Sequence, residues 1–304
     1  MSTICLCNVG LSNTGTPTCQ PIASVARKLI VVPYYDSNGD VNSIEVGVDT
    51  LNDAFFTAKI NAALAANRWF PLPLMKNVAD ERADSTFEEF GDGSKFFIKD
   101  GVRTLSALFP NQSPELLSKI SSMRCTEIGV FVIDANNAII GSQTVDGFLY
   151  PIKVEQQTWS PVLVKTTDAG VQKIKLTFDF AVEEEDENIR MITSGEANML
   201  ALKGLLDGYM TPSVITTTSF KATINTSFGD LQDPIKVQGL LAANFALYNI
   251  TDSLSVTIIT STESPAGVYT ITYVAQTSGD VLRLTPTKTG YDFSTVPSVA
   301  INIP

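Results

Sequence analysis

The sequence predicts a mainly β protein of the α+β kind: a barrel or sandwich domain carrying one or two helices, followed by a second β-sandwich. Three observations carry this prediction. Short runs rich in Val, Ile, Thr and Phe recur between Gly, Pro, Asn and Asp clusters, the pattern of strands and tight turns. Helical spacing with caps is confined to a few short stretches. At Thr211-Pro212 the composition shifts, Thr becomes very frequent, and helical patterns nearly vanish. The 304 residues divide on this reading into an extended arm (1–24), a first domain (25–212) and a sandwich (213–304). That length is ample for buried cores without disulfide or metal staples.

Taken in order, the Gly/Thr/Ser/Asn/Pro-rich leader has no periodicity and reads as an arm. It holds Cys5, Cys7 and Cys19, a weak pattern for a thiolate metal site because no fourth ligand lies nearby; reduced thiols are the plainer reading. Lys28 to Tyr35 and Val41 to Val48, joined by Asp36-Ser37-Asn38-Gly39-Asp40, read as a hairpin. Asp53 to Asn67 repeats Phe56, Ile60 and Leu64 at helical spacing behind a cap at Asp49-Thr50 or Asn52, and the prolines of Trp69-Phe70-Pro71-Leu72-Pro73 stop it. This extended apolar segment reads equally as packing under a loop or as an anchor between subunits. Asn77 to Ile98 is polar and acidic, turning at Gly91-Asp92-Gly93 into a strand at Lys95 to Lys99. Asp100-Gly101 is expected to be a tight turn into a second strand at Val102 to Phe109.

Ser113 caps a short helix from Pro114 to Met123, and Glu127 to Ile133 with Ala138 to Gly141 forms a hairpin over Asp134-Ala135-Asn136-Asn137. Val171 to Val182 alternates, with Ile174, Leu176, Phe178 and Phe180 on one face. The following run, Glu183 to Glu187, reads as a solvated acidic wall rather than a calcium site, because consecutive acids point in different directions. Leucines between Gly195 and Tyr209 suggest a further short helix. Beyond residue 212 the expected strands are Val237 to Leu241, Phe245 to Ile250, Leu254 to Thr260, Gly267 to Val274, Asp280 to Thr285 and Val299 to Ile303. Six or seven short strands in this span indicate a sandwich of the immunoglobulin-like type. Gly267 to Tyr273 resembles the strand of such domains that bears a corner tyrosine.

Charge and residue usage narrow the function. With 21 Lys+Arg against 32 Asp+Glu, the formal charge of −11 argues against tight binding to phosphate backbones, which rests on phosphate neutralisation. The chain has no histidine, so Ser-His-Asp and Cys-His pairs, the HExxH helix and mixed Cys/His zinc sites are excluded. There is no P-loop, GxGxxG, GxSxG, CxxC or kinase signature. Asp80, Glu81, Asp84, Glu88 and Glu89 are dense enough for a glycosidase pair, but their spacing selects no face, and a solvated surface is the expected role. Met1 to Gly10 lacks a basic signal start, and no apolar run approaches the ~18 residues of a membrane span.

The order of elements from 28 to about 182, above all Ala79 to Pro110 followed by a short helix and Glu127 to Gly141, resembles the tail tube proteins of long-tailed bacteriophages and the related tubes of contractile injection machines. The leader around Cys7 to Cys19 resembles the starts of some phage structural proteins. The resemblance implies a tail-tube-like β-barrel/sandwich domain whose sheets join around a ring, expected to be hexameric, with a C-terminal Ig-like domain outside. Rings stack into a hollow tube that passes DNA at ejection. It implies a virion protein of the tail, assembled in the host bacterial cytoplasm, with no catalysis, cofactor, metal or membrane insertion. Its partners would be copies of itself, other tail proteins such as the tape measure and tail terminator, DNA only in transit, and weakly a host-surface glycan. The interface expected on this basis runs through Trp69, Phe70 and Leu72 and, in the hairpin around Asp100-Gly101, through Phe96, Phe97 and Arg103. A capsid or tail decoration protein, or a glycan-binding adhesin module built on the C-terminal sandwich, is the alternative; Tyr269, Tyr273, Tyr291 and Phe293 are candidates for a glycan surface, but Tyr on sandwich strands more often belongs to the core.

Overall fold

The computed structural model describes residues 15, 22–143, 146–193, 195–294 and 300–304. Most of the expected arm, with Cys5, Cys7 and Cys19, lies outside the described residues.

The first unit is organised around the strand Ala26–Pro33, whose last six residues are all buried. Successive side chains of a strand point to opposite faces, and here each face meets a different layer. Leu29 and Val31 enter the core shared with a second sheet, whereas Ile30 and Val32 enter the core beneath a helix. A continuous apolar run is what a strand covered on both sides requires. It pairs antiparallel with Ile128–Asp134 along nearly its whole length and with the two-residue strand Phe70–Pro71 on its other side. Ala138–Ser142 and Ile189–Thr193 extend the sheet beyond Ile128–Asp134. The turn between Ile128–Asp134 and Ala138–Ser142 is held by Asp134, whose Oδ1 accepts from the backbone of Asn136 and Ala138 at 2.8 Å each.

Helix α1 (Asp53–Ile60) lies on the outer face of this sheet. Asn52 caps it by accepting from the Phe55 amide at 2.9 Å, and Phe56 and Ile60 are its buried residues. It ends at Asn61 rather than Asn67, with a single 3-10 turn at Ala65–Asn67 in place of its last expected turn. On the inner face sits a second antiparallel sheet, in the order Ser160–Val164, Lys173–Asp179, Arg103–Pro110, Lys76–Arg82. Ile174, Leu176 and Phe178 alternate inward as the pattern predicts, opposite Leu105, Ala107 and Phe109. Trp159 is fully buried among them; its Nε1 donates to the Ile120 carbonyl at 2.8 Å, tying helix α2 (Pro114–Ser122) to the core.

Three local expectations are corrected. Val41 to Val48 is not a full strand: Tyr35 and Val41 form one bridge, and only Ile44–Glu45 pairs, with Phe148–Leu149. Asp100-Gly101 is not a hairpin turn. Lys95–Lys99 pairs back onto Thr86–Glu89, and Arg103–Pro110 onto Lys76–Arg82, so one long hairpin runs from Lys76 to Pro110 with its turn at residues 90–94. Gly195 to Tyr209 is not a helix but a 3-10 turn at Met199–Ala201 followed by the strand Leu206–Ser213.

That strand opens the second unit, a sandwich of two sheets. One has the order Leu206–Ser213, Ser219–Gly229, Val268–Tyr273, Ile258–Glu263; the other has Leu254–Val256, Phe245–Asn249, Val281–Pro286, Ala300–Asn302. Lettered along the chain as A, B, C, C′, D, E, F and G, these are A-B-E-D facing C′-C-F-G, an immunoglobulin-type arrangement. The expected strand Leu254 to Thr260 is in fact two, because the chain changes sheet after Val256. Tyr269 and Tyr273 lie on strand E, not on the strand that carries a corner tyrosine. Both are buried, with hydroxyls donating to the carbonyls of Val237 and Thr216 at 2.8 Å each.

The strand Leu206–Ser213 spans the boundary expected at 212, so the sandwich begins several residues earlier. Charged groups fasten the joint. Arg68 pairs with Asp292, both nearly buried, and Lys119 pairs with Asp207 while its ammonium lies 4.9 Å from the centre of the Phe228 ring. Lys28, 3 % exposed, donates from Nζ to the carbonyls of Leu200 and Leu202 in the connecting segment. Burial, with a smaller push from Lys203, pulls its pKa down from 10.5 to about 8. Between those two values the unfolded chain holds the proton that the folded chain has lost, so this residue's contribution to stability rises with pH across that window. Urea unfolding at steps from pH 8 to 10 is expected to show that rise, and Lys28→Met to flatten it relative to the parent chain.

Candidate interaction site

The outer half of the long hairpin is an aromatic ribbon standing in solvent. In Thr86–Glu89 and Lys95–Lys99 every residue is exposed, as are Phe90 and the turn residues. Phe87 faces Phe97 edge-on at 5.9 Å, and Phe90 faces Phe96 at 5.3 Å. Such cross-strand pairs stabilise a hairpin but cover only part of each ring. The turn is closed by Asp92, whose Oδ1 accepts from the Ser94 amide at 2.9 Å and from its hydroxyl at 2.6 Å; the hydroxyl bond is the main cause holding this carboxyl below its usual range. Gly93 follows at φ +81°, a conformation that costs glycine little.

A charge cluster fixes the ribbon at its base. Arg103 makes two parallel bonds to Asp80, both 2.7 Å, and a third to Asp186 at 3.1 Å. Arg82 also grips Asp186, at 2.8 and 3.1 Å, and donates to the carbonyls of Gly101 and Glu184 at 3.0 Å each. The Asp80 bonds hold the Arg103 guanidinium above its ordinary value, and the Arg82 bond holds the Asp186 carboxyl below its own. The strands then cross tightly: a side chain at Gly101 would collide with the Ala83 carbonyl at 1.9 Å. The acidic run is therefore partly a clasp. Asp186 latches the hairpin, Glu183 pairs with Lys153 at 3.2 Å, and Glu184 accepts from the Lys153 amide at 2.9 Å. Burial pushes the Glu184 carboxyl up. No group of three or more His, Cys, Asp or Glu is placed to hold a metal among the described residues.

The six sequence candidates fall in two places. Phe96 and Phe97 project from the ribbon, and Arg103 stands at its base. Trp69 and Leu72 are instead core residues of this chain, 1 % and 4 % exposed, and so offer no surface to another. Trp69 packs against Phe55, Phe56 and Phe131. Phe70 is half-buried on the short edge strand. Sequence reasoning missed Phe87, which shares one face of the ribbon with Phe97, and Phe90 and Ile98, which share the other with Phe96; their signal was apolar residues flanking the Gly91-Asp92-Gly93 turn. It also missed the Asp80 and Asp186 clamp.

Of the four aromatics named for a sugar surface, two are core residues and two are half-buried beside a small surface cleft. Tyr269 and Tyr273 are buried, Tyr291 is stacked on Phe293 at 6.1 Å with the Lys288 ammonium 5.2 Å from its ring centre, and the Phe293 ring sits against Gly208. Compared with known proteins, the chain matches no family model and no curated protein at a significant level.

Asp186 is half exposed, so its pairs are partly screened by solvent, and Asp186→Asn is expected to cost only about 1 kcal/mol at neutral pH. Because its folded pKa is depressed, this stabilisation is present above the ordinary aspartate range and lost as pH falls through the folded value. The stability gap between variant and parent in urea should therefore close in acid.

Proposed function

We propose that this chain is a virion structural subunit that assembles with copies of itself into stacked rings forming a phage tail tube, through which DNA passes on ejection. The observation that carries the reading is the projecting hairpin with four exposed phenylalanines. The cross-strand pairs help to hold the hairpin, yet on both of its faces the rings remain about half exposed, and exposed apolar surface of this kind marks contact sites.

Two further features support it. The sheet from Ser160–Val164 to Lys76–Arg82 has no strand partner beyond either outer strand among the described residues, and free edges become joints when a neighbour in a closed ring meets them. Its outer face is mixed: Thr104, Ser106, Thr177 and Asp179 lie toward one end, and Lys76, Lys173 and Lys175 with Leu108, Val162 and Val164 toward the other. The overall charge of −11 suits a bore past which DNA slides, since phosphate neutralisation is what makes a nucleic acid stick.

Negative-stain microscopy of the purified full-length chain, with light-scattering mass in parallel, is expected to show rings or hollow tubes. The double variant Phe96→Ser/Phe97→Ser should reduce assembly strongly while leaving the monomer's melting temperature within about 2 °C, because exposed substitutions of this kind change stability little. A monodisperse monomer at high concentration would overturn the proposal and favour decoration of a preformed lattice.

A further inference from the structure

We infer that the lysine-bearing end of the sheet running from Ser160–Val164 to Lys76–Arg82 is a contact face for the phosphate backbone of duplex DNA. Its place inside a bore rests on the reading above; the contact itself does not. Strand pairing sets the face out in rows. Val162, Lys175, Leu108 and Lys76 stand side by side across the four strands, and Val164, Lys173 and Pro110 form the next row. Strand geometry puts the backbone of Lys175 about 7 Å from that of Lys173 and about 10 Å from that of Lys76. Lys165 follows Val164 at the same end and is exposed.

These lysines differ from the cations described so far. Arg68, Arg82, Arg103, Lys119 and Lys153 each grip a carboxylate, whereas none of Lys76, Lys165, Lys173 and Lys175 enters an ion pair among the described residues. The carboxylates on the same face, Asp179 and Glu81, stand four or more residues along the strands. That is about 13 Å, beyond the screening length of ~8 Å at physiological salt. The adjoining segments hold Asp168 and, past Pro110, Glu115, so the ammonium groups outnumber the carboxylates at this end. The charge of the whole chain is screened here, and the local sign is positive.

The rest of the face selects the kind of anion. Its two lysine rows carry no aromatic ring on which an unpaired base could stack. They carry no arginine either, whose planar fork is what suits carboxylates. Point charges on flexible stems, with the hydroxyls of Ser106 and Thr177 in the next row, suit phosphates met in no fixed register. Val162, Val164 and Leu108 suit those stems, which lie along apolar surface while the ammonium stays in water. About three or four neutralised phosphates per copy make a weak contact, set by salt, that travels along DNA rather than holding one place.

Fluorescence anisotropy of a labelled duplex two helical turns long, titrated with the full chain, tests the face. Between about 25 and 100 mM salt the affinity is expected to fall roughly hundredfold, the slope for about three or four phosphates. Lys76→Gln/Lys173→Gln/Lys175→Gln should weaken binding at low salt by about tenfold or more and flatten that slope, with the melting temperature within about 2 °C of the parent's. Lys99→Gln/Lys203→Gln/Lys221→Gln removes the same charge from exposed positions elsewhere and should change the affinity less than about threefold. Equal weakening by the two variants, or no binding at low salt, would overturn the face while leaving self-assembly, read by microscopy, standing. Displacement of the duplex by polyglutamate at equal charge concentration would assign the lysines to an acidic protein and overturn the DNA contact. Binding that depends on the three lysines in a chain that light scattering shows to stay monomeric would support the face and overturn its place in a bore.

Discussion

The structure of the first unit depends on one strand being covered on both faces. Ala26–Pro33 contributes Leu29 and Val31 to the core under the second sheet and Ile30 and Val32 to the core under α1. Burying aliphatic side chains of this size is worth about 1.5–3 kcal/mol each, and here consecutive residues all contribute. A one-residue slip would exchange the two faces, so the pairing of Ile30 with Phe131 and of Val31 with Val130 sets the register for both layers. The joint to the second sandwich depends on the same strand through Lys28, which occupies the helix-bearing face and reaches the connector from there.

How much of this was legible in the sequence follows from where each element gets its stability. Strands stabilised by their own buried face could be read: Lys173–Asp179 from its alternation, Ile128–Asp134 and Ala138–Ser142 from the Asp/Asn turn between them. Of the immunoglobulin-like sandwich, the strands from Phe245 onward were legible from turn spacing, whereas Leu206–Ser213 and Ser219–Gly229 were not expected and Val237 to Leu241 is not a strand. Lys76–Arg82 and Thr86–Glu89 were not, because their residues are mostly polar or exposed and they are strands by virtue of the ladder offered by Arg103–Pro110 and Lys95–Lys99. The leucines from 200 to 206 have helical spacing, yet Gly204 and Gly208 weaken a helix and pairing with Ser219–Gly229 outweighs the local preference.

The candidate site divides along the same line. Phe96 and Phe97 stood out as apolar residues in an acidic stretch, and the fold leaves them in solvent. Trp69 and Leu72 stood out equally, and the fold encloses them, because an apolar residue looks the same in sequence whether its cover comes from its own chain or from another. Arg103 was legible only as a charge. Its partner Asp186 lies 83 residues away within a run of acids, and nothing in the run marks which carboxylate is spent on a guanidinium.

The hairpin also has a consequence for the order of folding. Its contacts are local, zipping outward from the turn at residues 90–94, and such loops close on a microsecond scale. The pairing of Ala26–Pro33 with Ile128–Asp134 must instead close a loop of about a hundred residues, the kind of long-range contact that slows folding. On a growing chain the ladder of the hairpin can therefore close before the central strand has met its partner, while the Asp186 clamp at its base forms only after both are made. Until the body has folded, the exposed phenylalanines and unpaired strand edges of the nascent subunit are the kind of surface that aggregates, the condition under which holdase chaperones and low synthesis rates improve the yield of soluble protein.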